Sequence, residues 1–460
     1  MTFAAVLRTF LVVVLGSTVW AQAVDTTPLT IQEAVARAKK FPSIEASQEQ
    51  VNAAVAGIRI ARTNYLPRVD AVGQIDRATR NNVFGLLLPT TVIPSISGPV
   101  LGTDNGKSVW GSAAGVLVSW EPFDFGRRHA LVKSSQASKD RAQLTAKRTE
   151  FDIGTTTAAA FLTLLASEQT VRAAQAAVDR SQVLVGSVKA SVDARLRPGA
   201  DLSRADTELD AAETQLLQAQ QAVAVAKASL AEFTGVDVKM VAAVPGSLLN
   251  LPAEPSVTSP DLANHPAAKE QAGVIQESKA RLGVLQRTYR PTFQLQASAY
   301  GRGTGALVDG STLGGWNGLG PNYFNVATGF SVNFPLMALP SIHAQEAQET
   351  ALARSAAASY RQVLADLQAQ SNAAQATLAQ ARRIAAETPK EVADARTGFA
   401  QANAQYRAGL TTIVAVAEAQ RLLAQAEIDD SLAKLAVWRA LLQIQTAEGD
   451  ISSFLSQASR

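Results

Sequence analysis

Three histidines, His129, His265 and His343, are the first places to look for chemistry in this chain. They stand alone, without a His-x-x-x-His spacing, and the chain contains no cysteine. Residue types and spacing therefore offer no metal-ligand set and no cofactor site. Gly301-Arg302-Gly303-Thr304-Gly305 has the outline of a phosphate loop. It lacks the Lys-Ser/Thr that would follow and precedes no helical pattern, so it reads as a surface loop. No Ser/His/Asp grouping stands out. The expectation is a protein that is not an enzyme and whose function lies in its architecture.

The N-terminus indicates a compartment. Arg8, the apolar run Phe10 to Val19 and Ala21-Gln22-Ala23 form the three parts of a secretory signal over residues 1–23, cut after Ala23. A short buried core helix is the competing reading of that run. No later segment offers the roughly 20 unbroken apolar residues that a membrane helix needs. Without cysteine the exported chain has neither disulfides nor a lipidated cysteine, so stability comes from packing or assembly. The net charge of +3 is spread along Ala-rich helical segments, without a basic cluster that would suit nucleic acid.

The remaining chain is written twice. Pro42 is followed 25 residues later by Pro67, and Pro266 by Pro291 at the same spacing. After each comes an alternating stretch, a loop and a second alternating stretch, ending at Trp120-Glu121-Pro122 and at Asn333-Phe334-Pro335. A long helical pattern follows each, broken at Arg197-Pro198-Gly199 and at Arg407-Ala408-Gly409. This gives a first helix–strand–strand–helix repeat over 24–234, a linker over 235–263, a second repeat over 264–450 and a tail over 451–460. Pro245, Pro252, Pro255 and Pro260 keep the linker from continuing a helix.

From Arg127 to Arg195 no proline occurs, enough for a rod on the order of 100 Å. In the returning helix Leu202, Ala205, Leu209, Ala212, Leu216, Ala219, Val223, Ala226, Leu230 and Phe233 recur at three- and four-residue steps, a coiled-coil seam. In the second copy Leu432, Leu435, Trp438 and Leu442 share a face. The fold class is mainly α, with paired long helices and four strands.

Those strands are expected at about 67–80, 108–121, 291–302 and 323–335. Phe324, Val326, Thr328, Phe330, Val332 and Phe334 alternate with small or polar residues, the period a membrane barrel strand requires. Val69, Ala71, Ile75, Val116, Val118 and Trp120 give a weaker version. Asp70, Gln74, Gln294 and Asn333 would then face a polar lumen. A soluble half-buried sheet is the alternative. Lipid-facing strands must close into a ring, and four cannot when the smallest barrels have about eight. Two or more chains follow.

The ordered series resembles the TolC-like outer-membrane efflux channel family over nearly the whole mature chain. The carriers are Leu29 to Ala34, the Pro42 and Pro266 elements, Tyr65-Leu66-Pro67, Tyr289-Arg290-Pro291, WEPFDFGRR (Trp120 to Arg128), and the two helix breaks. The resemblance implies a homotrimer with a twelve-stranded barrel and a helical tunnel in the periplasm. It implies passive export of small molecules or proteins, served by a periplasmic adaptor and indirectly by an inner-membrane transporter. By position it gives adaptor-docking tips at Arg197, Pro198, Gly199 and Ala200, and at Arg407, Gly409, Leu410 and Thr411. Helix–barrel junctions fall at Pro67, Pro122, Gly126, Pro291 and Pro335. The second junction departs from the pattern, lacking a counterpart of Gly126. Pro389 interrupts the second long helix and is expected to act as a hinge. A periplasmic or surface coiled-coil scaffold or adhesin without a pore is the competing function; neither reading names a cargo.

Overall fold

The computed structural model describes residues 27–79, 108–253, 261–307 and 311–459. The expected signal at 1–23 lies outside the described residues.

A short strand β1 (Thr27–Leu29) leads into α1 (Ile31–Ala38), which opens on a capping box between Thr30 and Glu33. Helix α2 (Pro42–Thr63) has proline at its first turn, where no amide donor is needed. Strands β2 (Arg68–Thr79) and β3 (Ser108–Trp120) follow, then α3 (Arg127–Asp193) and α4 (Gly199–Thr234). After β4 (Val241–Ala243) the order recurs as α5 (Pro266–Thr288), β5 (Thr292–Thr304), β6 (Tyr323–Asn333), α6 (Leu339–Arg407) and α7 (Ile413–Glu448). A last helix, α8, spans Ser452–Ala458. Helices α3 and α6 run 67 and 69 residues, about 100 Å each.

Such rods are stable only where a face is covered. All ten seam residues of α4 are buried or half-buried, and α4 packs along α3 as α7 packs along α6. Helix α7 is covered on two sides. Leu435, Trp438 and Leu441 join Phe161, Leu162 and Leu165 of α3 and Leu230 of α4 in the main core. Ala433, Val437, Ala440 and Ile444 meet Ala374, Leu378, Ala381 and Ala385 of α6.

The segment 235–263 is more than a linker: β4 pairs in parallel with β1, and Val241 and Leu248 enter the main core. The tail is packed: Ile451 and Phe454 of the α8 region are buried, with Phe454 edge-on to Trp438 at 5.9 Å. Pro389 does not interrupt α6, which is helical throughout Leu339–Arg407. One missing amide donor is a local loss within so long a helix, and Thr388 is held across to α7 by its hydroxyl, which donates to Asp430 Oδ1 at 3.0 Å.

His265 also has a structural post, as the residue capping α5. Its Nδ1 accepts the Ala267 amide at 3.1 Å, and its Nε2 lies 3.0 Å from Thr446 O at the end of α7. Together these bonds select the neutral ring with hydrogen on Nε2. Burial pushes its pKa below the ordinary 6.5, with Asp152 and Arg148 nearby acting in opposite senses. The unfolded chain therefore takes the proton first, and the stability His265 contributes is complete above about pH 6.5 and declines below it. Asp152, whose pKa burial raises, works in the other direction. Between pH 7.5 and 5, urea unfolding should show the wild type losing stability relative to His265→Gln. Parallel pH profiles for the two proteins would refute this.

Candidate functional site

Strands β2, β3, β5 and β6 form one antiparallel sheet in that order, so the two repeats meet at β3 and β5. Register decides which side chains share a face. One cross-strand row is Val69, Val118, Ala297 and Thr328; the next is Ala71, Val116, Ala299 and Val326. Trp120, Leu295 and Phe330 line up on the same face. The opposite face carries Asp70, Leu117, Ser298 and Ala327, then Gln74, Ala113, Arg302 and Tyr323. Gln294 and Asn333 lie on that second face with Asp70 and Gln74.

Burial is inverted relative to a water-soluble sheet. Val326 and Phe330 are 67% and 63% exposed, whereas Gln296 and Ser298 on the polar face are both 3% exposed. Burying a side chain of the Val or Phe type stabilises by about 1.5–3 kcal/mol. A contiguous apolar face left in water would forfeit that many times over and invite association. The solvent matching this face is hydrocarbon. Strands of 11 to 13 residues, tilted as barrel strands are, suffice for an apolar band of about 25 Å.

At the helix end this face is rimmed by aromatic residues. Phe123, Phe125, Phe293 and Phe330 form a chain of ring contacts between 4.6 and 6.1 Å, and Phe334, Leu336 and Met337 are exposed beside the second junction.

The string WEPFDFGRR now has a geometric account. Trp120 Nε1–H donates to Tyr65 O at 3.1 Å, tying the end of β3 to the turn before β2. Glu121 pairs with Arg127 at 2.9 Å. Phe125 and Gly126 both have positive φ, 51° and 83°, and this double reversal turns the strand into α3. Asp124 holds the reversal closed. Its Oδ1 accepts the Gly126 amide and its Oδ2 accepts both the amide and Nε–H of Arg128. Asp124 and Arg128 are both buried. Burial alone would raise the Asp124 pKa, but the Arg128 hydrogen bonds and charge outweigh it and hold the carboxyl below its ordinary 3.8. The second junction reaches the same outcome without glycine, through Pro335, a 3-10 turn over Leu336–Ala338 and Pro340 in the first turn of α6.

At the opposite ends of the long helices are two tips. Arg195 (φ 57°) and Gly409 (φ 77°) are the left-handed residues that end α3 and α6. Leu196 N–H bonds back to Ser191 O, and Leu410 N–H to Gln405 O, so both tips close with the same motif. Both leucines are exposed. Gly199 is thus not the counterpart of Gly409. It is the first residue of α4 after the cap Pro198, as Ile413 follows the cap Thr412. The sequence break at Arg197-Pro198-Gly199 marks the next helix, whereas the reversal belongs to Arg195. The tips touch each other: Arg197 stacks 4.4 Å over the Tyr406 ring, and Tyr406 Oη–H donates to Asp201 Oδ2 at 3.2 Å. A β-carbon at a left-handed position costs about 1 kcal/mol. Accordingly Gly409→Val should lower thermal stability by at least about 1 kcal/mol while Arg195→Gly raises it slightly; the opposite order of melting temperatures would rule out this assignment.

The family model for outer membrane efflux proteins matches residues 31–236 and 259–450, most of the chain. The chain belongs to the outer membrane efflux protein family. Its fold is also that of solved outer-membrane channels. OprN is 18% identical, with 91% of this chain and 89% of that one covered at a TM-score of 0.72. For CusC the values are 13%, 94%, 96% and 0.74, and for VceC of Vibrio cholerae 16%, 91%, 96% and 0.71. No curated protein sequence matches the chain significantly.

As an outer membrane efflux protein, this chain is a mainly helical protein of the bacterial outer membrane, from a family of channels and not of enzymes. In this member Pro67, Pro122, Pro291 and Pro335 all lie at the helix end of the sheet, each in a turn between helix and strand. Arg197, Pro198, Gly199 and Ala200 lie at one tip, with Arg407, Gly409, Leu410 and Thr411 at the other. Sequence reasoning gave no individual role to Asp124, Arg195, Leu196 or Tyr406, although all four lie in the junction and tip strings it singled out. An acid two residues before a glycine and four before an arginine was the available signal for the first.

Proposed function

We propose that three copies of this chain close a twelve-stranded barrel in the outer membrane, continued into the periplasm by a tunnel of the long helices. The assembly is a passive export channel for small molecules or proteins, delivered through a periplasmic adaptor from an inner-membrane transporter. The supporting observation is the inverted sheet, apolar outside and polar within, which ends on β2 and β6 with no further strand pairing there among the described residues. Strand count requires more than one copy; the family suggests three. Each chain then supplies two repeats, 24–234 and 264–450, and the tips around Arg197–Ala200 and Arg407–Thr411 meet the adaptor, with Leu196 added to that surface. A pore-free scaffold would leave the apolar face without purpose. Cross-linking of native membranes should give a trimer, and the purified protein should conduct in planar bilayers. A stable monomer without conductance would overturn the proposal.

A further inference from the structure

The glycines of Gly301-Arg302-Gly303-Thr304-Gly305 do not cradle phosphate; they make room for the chain itself. Register puts Gly301 and Gly303 on the apolar face of β5, with Leu295, Ala297 and Ala299. A β-carbon on Gly303 would collide with Gly320 O, and one on Gly301 would sit 2.9 Å from Pro321 Cβ. A β-carbon on Gly318 would strike Trp110 O. The connection before β6 therefore crosses the outside of the sheet as a strap. It is fastened by Leu313 N–H to Gly305 O at 2.9 Å and Asn322 N–H to Arg302 O at 2.8 Å.

The strap carries Trp316, 76% exposed, onto the indole of Trp110, with ring centroids 6.3 Å apart and planes within 9°. Arg77, which faces Trp110 in the β2–β3 register, places its guanidinium 5.2 Å from the centre of that indole. Its Nε–H donates to Ser108 Oγ at 3.0 Å. A guanidinium and two indoles thus gather at the end of the apolar face farthest from the helices. Indoles settle at the headgroup level of a bilayer, and guanidinium is the side chain best matched to phosphate.

We propose that this strap seats the phosphorylated headgroup of an outer-leaflet lipid, with Arg77 on the phosphate and Trp110 and Trp316 at the headgroup–acyl boundary. The inference rests on the reading that the apolar face lies in lipid. Continuity with that face selects a lipid as the occupant, the cation selects a phosphate-bearing one, and the end of the sheet opposite the periplasmic helices selects the outer leaflet.

The test uses the full assembled protein, with lipid A as probe and its dephosphorylated form as control. Arg77→Gln should weaken lipid A binding roughly tenfold, Arg77→Lys less, and Trp316→Phe should diminish the tryptophan response to the lipid, leaving the part due to Trp110 and Trp120. Equal binding by wild type and Arg77→Gln, or equal binding of the dephosphorylated lipid, would overturn the proposal. Quenching by brominated lipids separates the two readings, because Trp120 reports the sheet face itself. Lipid reaching Trp120 but not Trp316 sinks the strap alone; lipid reaching neither sinks the membrane reading as well.

Discussion

Val326→Arg should keep the chain out of the outer membrane, whereas Ser331→Arg, five residues along the same strand, should leave assembly intact. The two positions lie on opposite faces of β6. Val326 is in the apolar row with Ala299 and Val116, and a cation there costs about 2–4 kcal/mol near the bilayer midplane. In a closed assembly every copy bears that cost. At Ser331 the arginine joins Gln294 across the strand on the polar face, where water solvates it at a cost of about 0.5 kcal/mol or less. Fractionation of membranes and the amount of assembled oligomer read the difference. Equal loss from both substitutions would mean that the sheet is not two-faced in the way register and burial indicate.

Asp124→Ala is expected to destabilise the protein by about 3–5 kcal/mol, the range for breaking a buried ion pair by removing one partner. The substitution strands Arg128, which is 5% exposed, and leaves the Gly126 and Arg128 amides without their side-chain acceptor. Arg128 also donates to Asn64 O and stacks 4.9 Å over Tyr65, so the damage extends to the turn that starts β2. As a control, Glu418→Ala breaks an ion pair that is mostly exposed and should leave the unfolding midpoint close to that of the wild type. The sign with pH is fixed by the depressed Asp124 pKa. Its contribution is complete above the ordinary carboxylate range and is lost only as pH falls through the lower folded value. Urea unfolding at neutral pH is the measurement, and similar losses from the two variants would remove Asp124 from its role.

What was legible in the sequence is what repeats. The α4 seam could be read residue by residue because its spacing persists over ten positions, and period-two alternation from Phe324 to Phe334 marked the strand with the most exposed apolar face. WEPFDFGRR announced a junction through its Pro, Asp and Gly, although only the coordinates show that Asp124 closes it. The misses are contacts without local periodicity. Three-residue strands such as β1 and β4 carry no pattern, and Ile451 and Phe454 are too few apolar residues to declare a packed helix. At the first tip the reversal falls before the Arg197-Pro198-Gly199 break, because Arg195, not a glycine, occupies the left-handed conformation there. The strap was invisible because Gly303 and Gly320 meet only once the sheet has formed.

The chain has no native cysteine, so single cysteines can report each strand position without background. Cysteines placed one at a time at Val326, Ala327, Phe330 and Ser331 in the membrane-embedded assembly would be exposed to a lipid-dissolved thiol reagent and to a water-soluble one. The sheet as described predicts lipid labelling at 326 and 330 and aqueous labelling at 327 and 331. Aqueous labelling at all four positions, or lipid labelling without alternation, would contradict it.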